Sequence, residues 1–186
     1  MTKNELSNTT TLKSLPGISK DSLALLDSVI NCLSVPRSVI PDDEQIEYAL
    51  QDLPRELKKI PPHLRDKFIV RASLATAVGL FDSAINYVWN SVINELRKKT
   101  SNFGYEMIKH IKGDKVEDNF LANITDDALL KLCRQLNILT EEGYYYLDQC
   151  RDLRNHVSAA HPSMIELDDR ELINFFNRCA KYGLSD

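Results

Sequence analysis

The sequence predicts an all-α fold, and three observations carry that prediction. Apolar residues recur at i, i+3, i+4 and i+7 along most of the chain, the period of a helix with one buried face. No segment shows convincing apolar–polar alternation over strand length. Six Gly and seven Pro are few for 186 residues, and most of the Pro lie before residue 63. The remainder can therefore hold long helices without a breaker.

The elements follow in chain order. Residues 1–19 are rich in Ser, Thr and Asn and are expected to be loose. Ser19 to Leu33 reads as a short helix, with Leu23, Leu26 and Ile30 at helical spacing. Pro36 and Pro41 break the chain there. Asp42-Asp43-Glu44-Gln45 resembles a helix start, with Gln three residues after the capping Asp. Ile46, Leu50 and Leu53 continue the period. Pro54 implies a kink or the first residue of a new short helix. Pro61-Pro62 ends this region and marks a soft boundary. An N-terminal helical extension over 1–62 and a helical domain over 63–186 are therefore expected.

Asp66 to Lys99 is the longest periodic segment, read as one central core helix with Gly79 inside it allowing close packing. Arg97-Lys98-Lys99 closes it as a solvated basic terminus. Residues 103–112 are a candidate short helix ended by Gly113. Thr125 opens a helix to about Asn137, and Thr140 opens another that ends before Pro162. Asp168 caps a last helix stopped by Gly183.

A chain this long supports one domain with a sizeable core, with or without an extension. Its 43% apolar and 27% charged residues are those of a soluble globular protein. The net charge of −4 excludes a protein that coats nucleic acid through bulk charge. A small phosphate site, needing only a few cations, remains compatible with it. The start MTKNELSNTTTLK lacks the apolar core of a signal peptide, and no apolar run approaches the ~20 residues of a membrane span. A cytoplasmic protein without membrane contact is expected. Cys32, Cys133, Cys150 and Cys179 are far apart, as small buried hydrophobes in a reducing compartment would be, and not spaced as zinc ligands.

Residues 151–162, RDLRNHVSAAHP, carry the densest chemistry. At ~100° per residue, Arg154 and His161 lie ~20° from one azimuth of a helix. Arg151, Asn155 and Ser158 join them at i, i+3, i+4 and i+7 spacings. One stripe thus combines permanent cations with the side chain that titrates near neutral pH. His156 lies on the other side of the helix. Ser158, Ala159 and Ala160 leave room beside His161, as a groove or twofold contact needs. The alternative is a solvated polar face, with His161 as a cation at a helix C-terminus.

Arg154-Asn155 followed by His161 resembles the signature of HEPN-domain proteins, in which Arg, a polar residue and a spacer precede a His. The resemblance covers roughly residues 66–182. The family's spacer is four to six residues. Arg154/His161 has six, and Arg151/His156, with four, also fits. The helix geometry prefers the first pair, because the second straddles the helix at ~140°. The resemblance implies an all-helical domain acting as a dimeric, metal-independent ribonuclease of a toxin–antitoxin or phage-defence system. Its RNA target would be tRNA or mRNA, it would need no cofactor or metal, and it could have an antitoxin or other defence partner. Some HEPN toxins carry a Tyr two residues after the motif His, where an antitoxin modifies it. Ser163 stands there in this chain, so that regulation does not carry over.

The chemistry asks for few groups. A 2′-OH attacks the adjacent phosphorus, and a base, an acid and phosphate-binding cations assist. His161 could serve as acid or base. Arg154 could clamp the phosphate with two prongs. Asn155 could orient His161 or a phosphate oxygen, Ser158 could give a neutral hydrogen bond, and Arg151 could add positive potential. The products would be a 2′,3′-cyclic phosphate and a 5′-hydroxyl. A twofold dimer would gather two His161 and two Arg154 around one groove. Tyr144-Tyr145-Tyr146 could stack bases, although packing is the commoner fate of such aromatics. His63 reads as a loop residue and His110 as an exposed helix end. The competing reading is a non-catalytic helical dimerisation or interaction module of a larger defence complex.

Overall fold

The computed structural model of the chain describes residues 20–104, 108, 120–157 and 167–185. Every regular element among them is helical. The helices are α1 (Lys20–Leu33), α2 (Asp43–Lys59), α3 (Lys67–Ala77), α4 (Phe81–Asn102), α5 (Phe120–Asn123), α6 (Asp126–Gln135), α7 (Glu141–Val157) and α8 (Asp169–Arg178). A π turn over Cys179–Gly183 extends α8. The candidate helix over 103–112 falls mostly outside the described residues. No helix among them is long and apolar enough to cross a membrane.

The helix starts are set by capping side chains, which accept the orphan N–H groups of a first turn. Asp42 accepts from Gln45, Thr125 from Ala128 and Asp168 from Glu171. Asp66 does more. One carboxylate oxygen accepts the N–H groups of Phe68 (2.9 Å) and Ile69 (3.1 Å) and the hydroxyl of Ser91 on α4 (2.6 Å). Asp66→Ala removes the cap and leaves the buried Ser91 hydroxyl without its partner. A loss of about 2 kcal/mol in urea unfolding is expected, with Asp66→Asn retaining most of the stability.

The expected single helix from Asp66 to Lys99 is two helices. Gly79 has φ +75 and sits between α3 and α4, not inside a helix. That conformation disfavours any residue with a Cβ, and a Cβ here would come within 2.8 Å of Ile46 Cδ1. The chain reverses, and α3 packs along α4. Pro54, by contrast, lies inside an unbroken α2.

One apolar core runs from Ile46 on α2 to Leu184 after the π turn. Pro61-Pro62 therefore turns the chain within that core. Fully buried Glu56 fastens α2 to α8: its carboxylate receives Arg55 Nε at 3.0 Å, Lys59 Nζ at 2.5 Å and Asn177 Nδ2 at 2.9 Å. Gly183 lets the π turn lie on α4, where a Cβ would meet Val92 Cγ1 at 2.6 Å. Arg97 reaches the Ile124 carbonyl and Lys99 the Ser185 carbonyl, so the basic end of α4 binds backbone, and only Lys98 is solvated there. Of the cysteines, Cys133, Cys150 and Cys179 are buried as expected, but Cys32 is exposed. Burial pushes the thiols of Cys133 and Cys179 up, which makes them poor nucleophiles.

Candidate functional site

The site is built on the last turns of α7. Gly143, Leu147 and Cys150 are the buried seam of this helix. On an ideal helix they lie within ~40° of the azimuth of Arg154. Arg154 therefore prolongs the core-facing seam, and its half-buried side chain turns inward onto α4. Arg154 Nε donates to Asn86 Oδ1 at 3.0 Å, and Nη1 donates to Asn155 Oδ1 at 3.0 Å. Asn86 is itself fixed, since its Nδ2 donates to the Asp82 carbonyl at 2.9 Å. Both partners are neutral amides. Among the described residues no carboxylate pairs with this guanidinium.

Arg151 is arranged in the opposite way. Asp152 and Asp148 lie 2.8 Å and 2.9 Å from its Nη2, and Asp127 lies 3.5 Å from Nη1. The hydrogen bond from Lys131 and the charges of Lys131 and Arg151 hold the Asp127 carboxyl below its ordinary range. Three carboxylates thus surround one guanidinium, which adds little free positive potential. His156 is exposed, and its Nδ1–H donates to the Asp152 carbonyl one turn back at 2.7 Å. Among the described residues no hydrogen bond joins His156 to Arg151, the alternative pair, or to Arg154. His161, Ser158 and His110 lie outside the described residues.

Asn86 is the residue of this arrangement that sequence reasoning missed. A signal was available, because it is a polar residue in the apolar run Ile85-Asn86-Tyr87-Val88 of the most periodic segment.

Beside this arrangement lies a cleft of about 990 Å³, lined by the Arg37–Asp43 linker, the start of α4, Val157 and Asp168. Arg37 closes one side, donating to the Ile40 and Pro41 carbonyls and pairing with Asp43 at 2.6 Å. Asp42, Asp82 and Asp168 make the cleft acidic, which disfavours a phosphate backbone within it. No protein-family model, curated protein or solved structure matches the chain.

What the Arg154 region can do follows from its own chemistry. A guanidinium has five N–H groups, and two of Arg154's are engaged by amides. Among the described residues no acceptor engages the others, which suit an oxyanion. The charge has no carboxylate partner among the described residues, is held by two amides and is partly shielded from water, which strengthens its pull on an anion. Arg154 supplies no proton at neutral pH, so acid–base chemistry beside it needs another group.

The tyrosines pack. Tyr146 stacks on Tyr182 at 5.3 Å between ring centres, with Arg178 over its ring at 5.1 Å. Tyr144 carries Arg134 at 5.0 Å. Tyr145 is exposed.

Proposed function

We propose that the protein is a metal-independent endoribonuclease of the HEPN type, acting as a homodimer on tRNA or mRNA in a cytoplasmic toxin or phage-defence system. The observation that carries this reading is Arg154. It is the Arg of the Arg-Asn-x5-His pattern, it is fixed by Asn86 and Asn155, and no carboxylate among the described residues neutralises it. A fixed cation of this kind suits the charge that gathers on phosphoryl oxygens as the 2′-OH attacks. His161 supplies the acid or base on this reading, and Asn155 has a dual task, holding Arg154 while facing the substrate. Arg151 is left out of the phosphate site because three carboxylates already offset it.

The test is direct. Purified protein is incubated with mixed tRNA and mRNA in EDTA, and the cut ends are mapped. Ends bearing 2′,3′-cyclic phosphate and 5′-hydroxyl are expected. Ends of another chemistry, or cleavage that appears only when a divalent ion is restored, would remove this mechanism.

A second reading, a helical interaction module, is favoured by the apolar side chains that α1 and α3 leave exposed. On that reading RNA stays intact in every condition.

A further inference from the structure

Nine of the twelve large hydrophobic residues exposed among the described residues fall on two stretches, 25–39 and 70–80. Such clustering marks an interaction surface, whereas scattered exposed aliphatics mean nothing. On α1 the exposed residues are Leu25 (68%), Val29 and Leu33 (67%). On α3 they are Val70 and Leu74 (64%), with Val78 just past the helix end. Both sets have the spacing i, i+4, i+8. Each is therefore a ridge of the kind that interdigitates in the commonest class of helix packing.

Among the described residues the two ridges share no extensive contact within one chain. α1 packs extensively on no other helix among those residues, and the one side chain it buries there, Ile30, stands outside the main core. Cys32 lies ~20° from the Leu25 azimuth on the same ridge, and it is exposed although cysteine is among the most buried residue types. The nine side chains expose on the order of 800 Å², the share one partner contributes to a standard interface.

Charge chooses the pairing. Lys67 and Arg71 flank the α3 ridge, with their cations over the rings of Phe68 and Tyr87 and no carboxylate partner among the described residues. Over residues 24–33, α1 carries a single charge, Asp27. Laying α3 on a second α3 would oppose like charges, whereas laying α1 on α3 does not. The same lack of basic residues makes α1 a poor membrane-surface helix. A foreign partner would have to supply a ridge that this chain already owns.

We propose that a second copy of this chain covers both ridges: α1 of each protomer packs on α3 of its partner, twice, about a twofold axis. The contact is self-complementary, as closed dimers require. It gives the homodimer of the preceding reading a specific interface, yet it does not depend on catalysis. It also ties assembly to the cleft, since Val39 after α1 and Leu80 after α3 both line that cleft.

Sedimentation of the full chain reads the proposal without reference to RNA. A dimer is expected for the wild type. Val29→Glu and Leu74→Glu should each weaken it by about 30-fold or more, with circular dichroism unchanged because both sites are exposed in the single chain. Combining Val29→Lys with Leu74→Glu should restore the dimer. In a separate experiment, Leu74→Cys is treated with a short bismaleimide that can join the introduced thiol to Cys32, and a covalent dimer is expected. A monomeric wild type, a dimer indifferent to both Glu substitutions, or a bismaleimide link from Cys32 to the introduced thiol confined to one chain would each overturn the proposal. RNA cleavage by a protein that fails these tests would leave the ribonuclease chemistry intact, and a monomeric wild type would remove the homodimer from that reading.

Discussion

Arg154→Ala is expected to lower RNA cleavage by about 10²–10³-fold, the usual cost of removing one preorganised contact to a developing oxyanion. The structural cost should be small, about 1 kcal/mol, because two hydrogen bonds to amides are lost and no carboxylate among the described residues is stranded. Arg154→Lys keeps the charge but loses the fork and the Nε–H that holds Asn86, so it should recover little of the activity. The more searching substitution is Asn86→Asp. It preserves shape and places a carboxylate where the amide oxygen now lies, 3.0 Å from Arg154 Nε. The resulting ion pair offsets the loss of the Asn86 Nδ2–H bond to the Asp82 carbonyl, yet it neutralises the charge intended for phosphate. Cleavage should fall far more than the modest change in melting temperature accounts for. Arg151→Ala should change cleavage little, given its three carboxylate partners. The measurements are single-turnover cleavage rates and thermal melts on the same preparations. Full activity in Asn86→Asp would show that the charge of Arg154 is not used.

The helix starts are legible in the sequence because capping is local. Asp42, Thr125 and Asp168 each bond an N–H three residues on, and the residues that do so can be seen without the fold. The break at Gly79 is not legible. Periodicity continues across it, and only the left-handed backbone and the approach of Ile46, a residue 33 positions away, decide that the chain turns there. The Arg154 stripe is visible in the sequence, but its direction is not. Viewed forward from Arg151 it looks polar. Extended back through Cys150, Leu147 and Gly143 it is the core seam, and that explains why Arg154 meets α4. The difference between Arg151 and Arg154 is likewise hidden. Asp148 and Asp152 stand near Arg151 in sequence, but Asp127 comes from another helix. Asn86 is 68 residues from Arg154, so their pairing is a product of tertiary packing alone. The exposure of Leu25, Val29 and Leu33 among the described residues is also beyond sequence, because they have the period of a buried face.

Trp89→Ala is expected to destabilise the fold by about 4 kcal/mol, the upper range for emptying a core site. That is a large share of the roughly 5–15 kcal/mol available to a typical domain, and at this size it corresponds to a fall in melting temperature of about 10 °C. Trp89 is fully buried on α4 and meets Phe175 of α8 edge-on, 6.3 Å between ring centres at 61°. Its indole N–H donates to Asp126 Oδ2 at 2.7 Å in the first turn of α6. One side chain therefore joins three helices, and the acceptor is charged, which makes this bond stronger than a neutral one. Trp89→Phe should keep much of the packing and lose the bond. A double-mutant cycle with Asp126→Ala should give a coupling of about 1–2 kcal/mol by thermal or urea unfolding. A coupling near zero would mean that the bond exchanges with water at no cost and that packing alone makes Trp89 important. Trp89 stands one turn after Asn86 on the same helix. If α4 positions Asn86 as a rigid element, Trp89→Phe should lower the melting temperature and leave cleavage near the wild-type rate at temperatures well below the melt. A parallel loss of cleavage in that folded variant would instead mean that the Asn86–Arg154 contact depends on how tightly α4 is held against α6 and α8.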